Sequence, residues 1–321
     1  MARKLTKSAL LNIVLSIVLV IIVGFGYFYL KKLSPVEVIT SNVTFSPSPQ
    51  YTFDFAIYNG IKDFIDPYEV LAFNGSVYVS DTKGGKVVIF DRTGQVVKEV
   101  VSKDLQAPAG MFWDGQKLYV ADAEGAKVIA MDANGNILEQ IELESNVLVA
   151  DIVIDNGYMY YLNNRPMFVE KYDLETQKVV KKFGGIGKEE GKLYYPYDLT
   201  IRNGQVYVAD SLNNRINIYD LDGEFIKTLP KKQEGASGGG LSVPRGLAFD
   251  REGRLLTVEG MGHRVTAMNE AGEIEFEITK SDQIEDEQRD IYLPTDLTFD
   301  ELGRLYVLEH ANKRVLVYRL Q

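Results

Sequence analysis

The chain has 321 residues, 45% hydrophobic and 25% charged, which is enough apolar content for a real core and excludes disorder or a collagen-like fibre. It contains no cysteine, so disulfides, thiol nucleophiles and cysteine-ligated metals or clusters are excluded too. All five charged side chains of residues 1–33 are basic, which leaves 30 basic against 45 acidic side chains downstream. So acidic a domain is a poor partner for nucleic acid, whose affinity comes mainly from phosphate neutralisation.

Residues 1–8, with Arg3, Lys4 and Lys7, read as a cytoplasmic N-terminus. Residues 9–30 are apolar except for Asn12 and Ser16, and as a helix they are long enough to cross a roughly 30 Å hydrocarbon layer. Tyr27, Phe28 and Tyr29 stand where an aromatic belt belongs. The segment is predicted to be a transmembrane signal-anchor helix. The competing interpretation is a cleaved signal peptide, which would have a shorter apolar region and a small-residue cleavage site such as Gly24 and Gly26. Three basic residues and the amino terminus precede the span, and Lys31 and Lys32 follow it. This bias predicts a single-pass cell-membrane protein with its N-terminus inside and the bulk of the chain outside the cytoplasm. Residues 31–50 carry Pro35, Pro47 and Pro49 and read as an extended linker.

From residue 51 onward the chain repeats. Six segments share one pattern, opening at Pro67, Pro108, Val149, Pro196, Pro244 and Pro294. Each holds apolar runs separated by turns. Asn74-Gly75, Asp114-Gly115, Asn156-Gly157, Asn203-Gly204, Gly253 and Gly303 mark the first turn; Gly94, Gly135, Gly223 and Gly272 mark a later one. Short strands between such turns are antiparallel hairpins. Four strands in each of six units predict an all-β, six-bladed β-propeller of four-stranded antiparallel blades. The last unit ends after its third strand, so residues 51–58 (YTFDFAIY) are expected to supply the fourth and remove an exposed edge.

The acid ending the second strand is Asp81, Asp122, Asp210, Glu259 or Glu309, and a base follows five residues later: Lys86, Lys127, Arg215, Arg264 or Arg314. The third unit has Asn163 and Phe168 instead, having lost acid and base together. The expectation is a salt bridge across each hairpin, structural in role. A second acidic set, Glu69, Asp151, Asp198 and Asp296, begins the innermost strands, with Gly110 and Gly246 at the matching places. Converging carboxylates repel unless a cation binds or protons are retained, and an oxygen-rich cluster suits calcium. No cofactor is otherwise expected.

The wording of the repeats, seen best in GQVYVADSLNNRINIYDLDG from Gly204 to Gly223, resembles the NHL family. That resemblance covers residues 51–321 and implies the propeller; NHL propellers include enzymes, receptor ectodomains and adaptor modules. Six-bladed lactonases of the gluconolactonase type hold a divalent metal near the place of the acidic set. This chain departs from them in its opening DPYEVL and lacks a matching catalytic Asn. The two histidines, His263 and His310, cannot reproduce the histidine-rich zinc site of the NHL-like amidating lyase and are expected at the surface.

Three long inter-blade loops, residues 184–195, 231–242 and 280–292, should emerge beside the acidic ring. Tyr68, Tyr194, Tyr195, Tyr197 and Tyr292, with Arg245, belong to the same face. Tyrosine suits recognition surfaces because its ring is apolar and its hydroxyl polar. The expected function is therefore a membrane-anchored module that binds a protein, peptide or glycan through this loop face. The alternative is a metal-dependent hydrolase using Glu69, Asp151, Asp198 and Asp296. No nucleophile, base and oxyanion donor can be named together.

Overall fold

The computed structural model describes residues 51–58, 63–231, 240–279 and 290–320. The predicted membrane helix and linker lie outside these residues, as do large parts of the second and third long loops. Among the described residues no helix is long and apolar enough to cross a membrane.

Among the described residues twenty-four strands form six four-stranded antiparallel sheets. The first strand, β1 (Tyr51–Ile57), belongs to the last blade. Blade 1 is β2 (Pro67–Phe73), β3 (Ser76–Asp81), β4 (Lys86–Asp91) and β5 (Val96–Val101). Blade 2 is β6 (Pro108–Trp113), β7 (Leu118–Asp122), β8 (Lys127–Met131) and β9 (Ile137–Glu142). Blade 3 is β10 (Val149–Asp155), β11 (Tyr158–Asn163), β12 (Phe168–Asp173) and β13 (Lys178–Gly184). Blade 4 is β14 (Pro196–Arg202), β15 (Gln205–Asp210), β16 (Arg215–Asp220) and β17 (Phe225–Leu229). Blade 5 is β18 (Pro244–Phe249), β19 (Leu255–Glu259), β20 (Arg264–Met268) and β21 (Ile274–Ile278). Blade 6 is β22 (Pro294–Phe299), β23 (Leu305–Glu309), β24 (Arg314–Leu320) and then β1, which pairs with β24 from Tyr51↔Leu320 to Ile57↔Val315.

Each innermost strand packs on the next, and β22 packs on β2, so the ring closes. A blade is covered on both faces by its neighbours. Its second and third strands therefore read as near-continuous apolar runs rather than alternating ones, as in Leu118–Asp122 and Lys127–Met131, every residue of which is buried. The outermost strands β5 and β9 are mostly exposed and carry the charges. Six apolar clusters result, one at each blade interface. At the β14–β15 hairpin, Asn203 and Gly204 take φ of 51° and 72°, the left-handed pair that a two-residue turn between twisted strands requires.

Every innermost strand runs from the loop face, where blades connect and second strands turn into third, toward the opposite turn face. β1 runs the other way, so the chain enters the propeller at Tyr51 on the turn face.

Candidate functional site

The four innermost acids form a girdle around the channel, and their partners are backbone groups of the following blade. Glu69 accepts the Met111 N–H at 2.8 Å, Asp151 that of Leu199 at 2.8 Å, Asp198 that of Leu247 at 2.6 Å and Asp296 that of Val70 at 2.8 Å. Blades 2 and 5 have glycine at this position, so the N–H groups of Ile152 and Leu297 find no acceptor from the blade before them. Asp151 and Asp296 take these over, each accepting the N–H of the residue that follows it. Four carboxyls thus serve six N–H groups, one for each innermost strand. The glycines are what make this possible: a methyl group at Gly110 would collide with Asp151, and one at Gly246 with Asp296. The order around the ring is acid, Gly, acid, acid, Gly, acid, so blades 1–3 and 4–6 repeat one another.

Crowding these acids inside the molecule moves their titration. Burial, then the charges of Asp151, Asp296 and Asp198, pushes Glu69 well up. Burial, then the charges of Asp151 and Asp296, does the same to Asp198. Asp296 is raised by burial to about 8 against the pull of the Val70 and Leu297 N–H groups. Asp151 reaches only about 6, because hydrogen bonds from Asp198, Glu69 and the backbone oppose its burial. At least one oxygen of each carboxyl accepts a backbone N–H group. Among the described residues no group of three or more Asp, Glu or His side chains is arranged to hold a metal ion. The four acids of the expected cation site, Glu69, Asp151, Asp198 and Asp296, line one channel cavity together.

Toward the loop face the channel is closed. Tyr68 of blade 1 and Tyr197 of blade 4, on opposite sides, stack with ring centres 4.7 Å apart, and the Arg245 guanidinium lies 5.1 Å from the Tyr197 ring centre. These three residues, expected as an open binding surface, are engaged with one another. Toward the turn face a cavity of about 350 Å³ runs from the acids to the ends of β14, β18 and β22. Its wall beyond the acids is Leu71, Phe112, Val153, Thr200, Ala248 and Thr298, and its rim includes Arg202, Phe249 and Phe299.

The acids that end the second strands serve a purpose that their spacing to the bases conceals. Asp81 accepts the N–H groups of Ile65 and Asp66; Asp122 those of Gln106 and Ala107; Asp210 that of Tyr194; Glu259 that of Ser242; Glu309 that of Tyr292. Each thereby fastens the loop entering its own blade. In blade 3 the neutral Asn163 does this for Leu148, and the buried Glu170 takes hydrogen bonds from Asn163 and Tyr161. Ion pairs join Asp210 to Arg215 at 2.8 Å, Glu259 to Arg264 at 2.7 Å, and Glu309 to Arg314. The other two expected bridges are absent. Lys86 pairs with Glu99 at 3.3 Å and lies over the Phe64 ring, and Lys127 forms no ion pair among the described residues. Asp81 and Asp122 are short and already turned to backbone, and a lysine lacks the guanidinium fork that holds carboxylate and loop carbonyls together. Arg215 does both, reaching the carbonyls of Lys188, Glu189 and Lys192 and so pinning the loop of residues 184–195.

His263 is also more than a surface histidine. Its Nδ1 accepts the Leu293 N–H at 3.0 Å and its ring stacks on Tyr292 at 4.8 Å. Asn214 does the same for the Val243 N–H one blade earlier. His310 lies 3.3 Å from Asp66. Tyr194 packs edge-on against Tyr195 and sits on an apolar cluster. Tyr195 and Tyr292 remain 53% and 48% exposed.

No protein-family model matches the chain, and no curated protein matches it either. Solved structures share the fold. A streptogramin B lyase is 15% identical with a TM-score of 0.60 over 85% of this chain and 98% of its own. The virginiamycin B lyase of Staphylococcus aureus is 14% identical with a TM-score of 0.59 over 84% of this chain and 100% of its own. A protein of unknown function from Bacteroides thetaiotaomicron is 18% identical with a TM-score of 0.64 over 80% of this chain and 70% of its own. At these identities the likeness is one of fold: this chain is a six-bladed β-propeller similar in fold to two lyases and to a protein of unknown function.

Proposed function

We propose that the protein is a membrane-anchored, extracytoplasmic propeller of NHL type that binds a protein, peptide or glycan through its loop face. The observation that carries this is the placement of exposed apolar side chains. Among the described residues, apart from Leu302 at a turn and those on the outermost strands, they fall on the loop face: Ile186 is 65% exposed and Met261 61%, and Tyr58, Ile65, Tyr195, Leu212 and Tyr292 are on the same face. Exposed apolar groups concentrated on one polar-rimmed face are the mark of an interaction site. The loop of residues 184–195 is held by Arg215 and Asp210, so this part of the surface is preorganised and loses little entropy on binding. The first described strand begins at Tyr51 on the opposite face. The hydrolase alternative receives no such support, because the carboxyls it needs are committed to backbone N–H groups.

A photo-crosslinking residue placed at Tyr195 or Tyr292 in intact cells is expected to capture one defined partner. The same residue at Val97, exposed on β5, is expected to capture none. Equal capture from all three positions, or capture from Val97 alone, overturns the proposal.

A further inference from the structure

The residue at the end of each innermost strand, four beyond the girdle position, is Phe73, Asp114, Asp155, Arg202, Asp250 or Asp300. Asp114, Asp250 and Asp300 are occupied with their own turns, where they accept the N–H groups of Lys117, Arg254 and Arg304. In blades 5 and 6 the carboxylate also pairs with the following arginine, Arg254 or Arg304. Blade 4 turns through Asn203-Gly204, a two-residue hairpin that needs no such acceptor, and this frees the position for a base. The Arg202 guanidinium lies over Phe249, with Cζ 4.7 Å from the ring centre. Among the described residues its guanidinium has no hydrogen bond and no ion pair. It is half-buried at the rim of the channel cavity, and together with Phe249 it also lines a second cavity of about 350 Å³ between blades 4 and 5.

We propose that the channel cavity on the turn face binds an amphipathic carboxylate: Arg202 pairs with the carboxylate and the apolar body lies against Phe249, Phe112 and Ala248. A guanidinium with no acceptor among the described residues has its donors available, and their fork matches the two oxygens of a carboxylate. The cavity falls at the small end of the range for ligand pockets, and such pockets are largely apolar with a few fixed polar groups. The wall beyond the girdle has this make-up: Leu71, Phe112, Val153 and Ala248 with only Thr200 and Thr298 polar. The girdle carboxyls form the floor, and each accepts the N–H of the next blade: Met111, Leu199, Leu247 or Val70. This site is distinct from the loop face, from which Tyr68 and Tyr197 separate it.

The test is titration calorimetry of the full-length protein in lipid nanodiscs, with empty nanodiscs as the blank and three probes of one shape: 4-phenylbutanoate, 4-phenylbutanol and 4-phenylbutylamine. The acid is expected to bind about ten-fold or more tightly than the alcohol or the amine, the scale of one charge-assisted pair. Arg202→Gln should remove that preference and leave alcohol binding and the melting temperature unchanged. Ala248→Phe should fill the cavity and abolish binding of all three. Equal affinities for acid and alcohol, preference for the amine, no binding of the acid, or an unaltered preference in Arg202→Gln each overturns the proposal.

Discussion

The girdle makes a rank-order prediction. Replacing Asp151 or Asp296 by alanine strips acceptors from two backbone N–H groups, Leu199 and Ile152 in one case and Val70 and Leu297 in the other. Replacing Glu69 or Asp198 strips one each, Met111 or Leu247. An N–H left without an acceptor costs about 1–3 kcal/mol, and the channel cavity admits water that recovers part of it. The low end applies, giving about 2–3 kcal/mol for Asp151→Ala or Asp296→Ala and about 1 kcal/mol for the other two. Relief of repulsion and of burial cost works in the opposite direction. It applies to all four, since burial raises the titration of each. Urea unfolding followed by the fluorescence of Trp113, the one tryptophan, measures it: the midpoints of Asp151→Ala and Asp296→Ala should fall clearly below those of Glu69→Ala and Asp198→Ala. Four equal shifts, or the reverse order, would refute the assignment of two N–H groups to each of Asp151 and Asp296.

Three further outcomes follow from the same contacts. Asp151 and Asp296 start from 3.8 and are raised to about 6 and about 8, so the folded state holds protons that the unfolded chain releases. Their stabilising contribution is complete below about pH 4 and lost as pH rises toward 8, so the urea midpoint should fall across that window, and less steeply in Asp296→Asn. Arg215→Ala leaves the buried Asp210 unpaired and unpins residues 184–195; a loss of about 3–5 kcal/mol is expected, with protease cleavage appearing in that loop. Deleting Tyr51–Ile57 exposes the edge of β24 and removes Tyr51 and Ile57 from two interface clusters, so light scattering should reveal aggregation that the intact chain does not show.

The architecture could be read from the chain because each blade repeats its own local signals: Asn-Gly and Gly turns between apolar runs, six times over, with a run left unmatched at residues 51–58. The chemistry of the acids could not be read so directly, because every girdle carboxyl acts on the next blade, 42–49 residues away for three of them and 226 for Asp296, and its partner is a backbone N–H that leaves no mark in the side-chain pattern. One signal was present: Gly110 and Gly246 fall three blades apart, each just before an acid that does double service. The five-residue acid-to-base spacing pointed to ion pairs and found them where the base is arginine. With lysine the pairing fails, since Lys86 turns to Glu99. Tyr68 and Tyr197 were seen as surface groups because sequence cannot tell that blades 1 and 4 face each other across a channel narrow enough for their rings to stack. Arg202 passed unnoticed because it reads as an ordinary strand end until it is set beside the aspartates of the other blades.

The central claim is that the channel acids join neighbouring blades rather than hold a metal ion. Scanning calorimetry of the full-length protein in millimolar calcium and in EDTA tests it most directly. The account predicts the same melting temperature in both and in the Asp198→Asn, Asp296→Asn double variant with and without calcium. A metal centre filled to 100 times its dissociation constant would add about 2.7 kcal/mol of stability. A calcium-dependent rise of that size in the native chain, abolished in the double variant, would contradict the account.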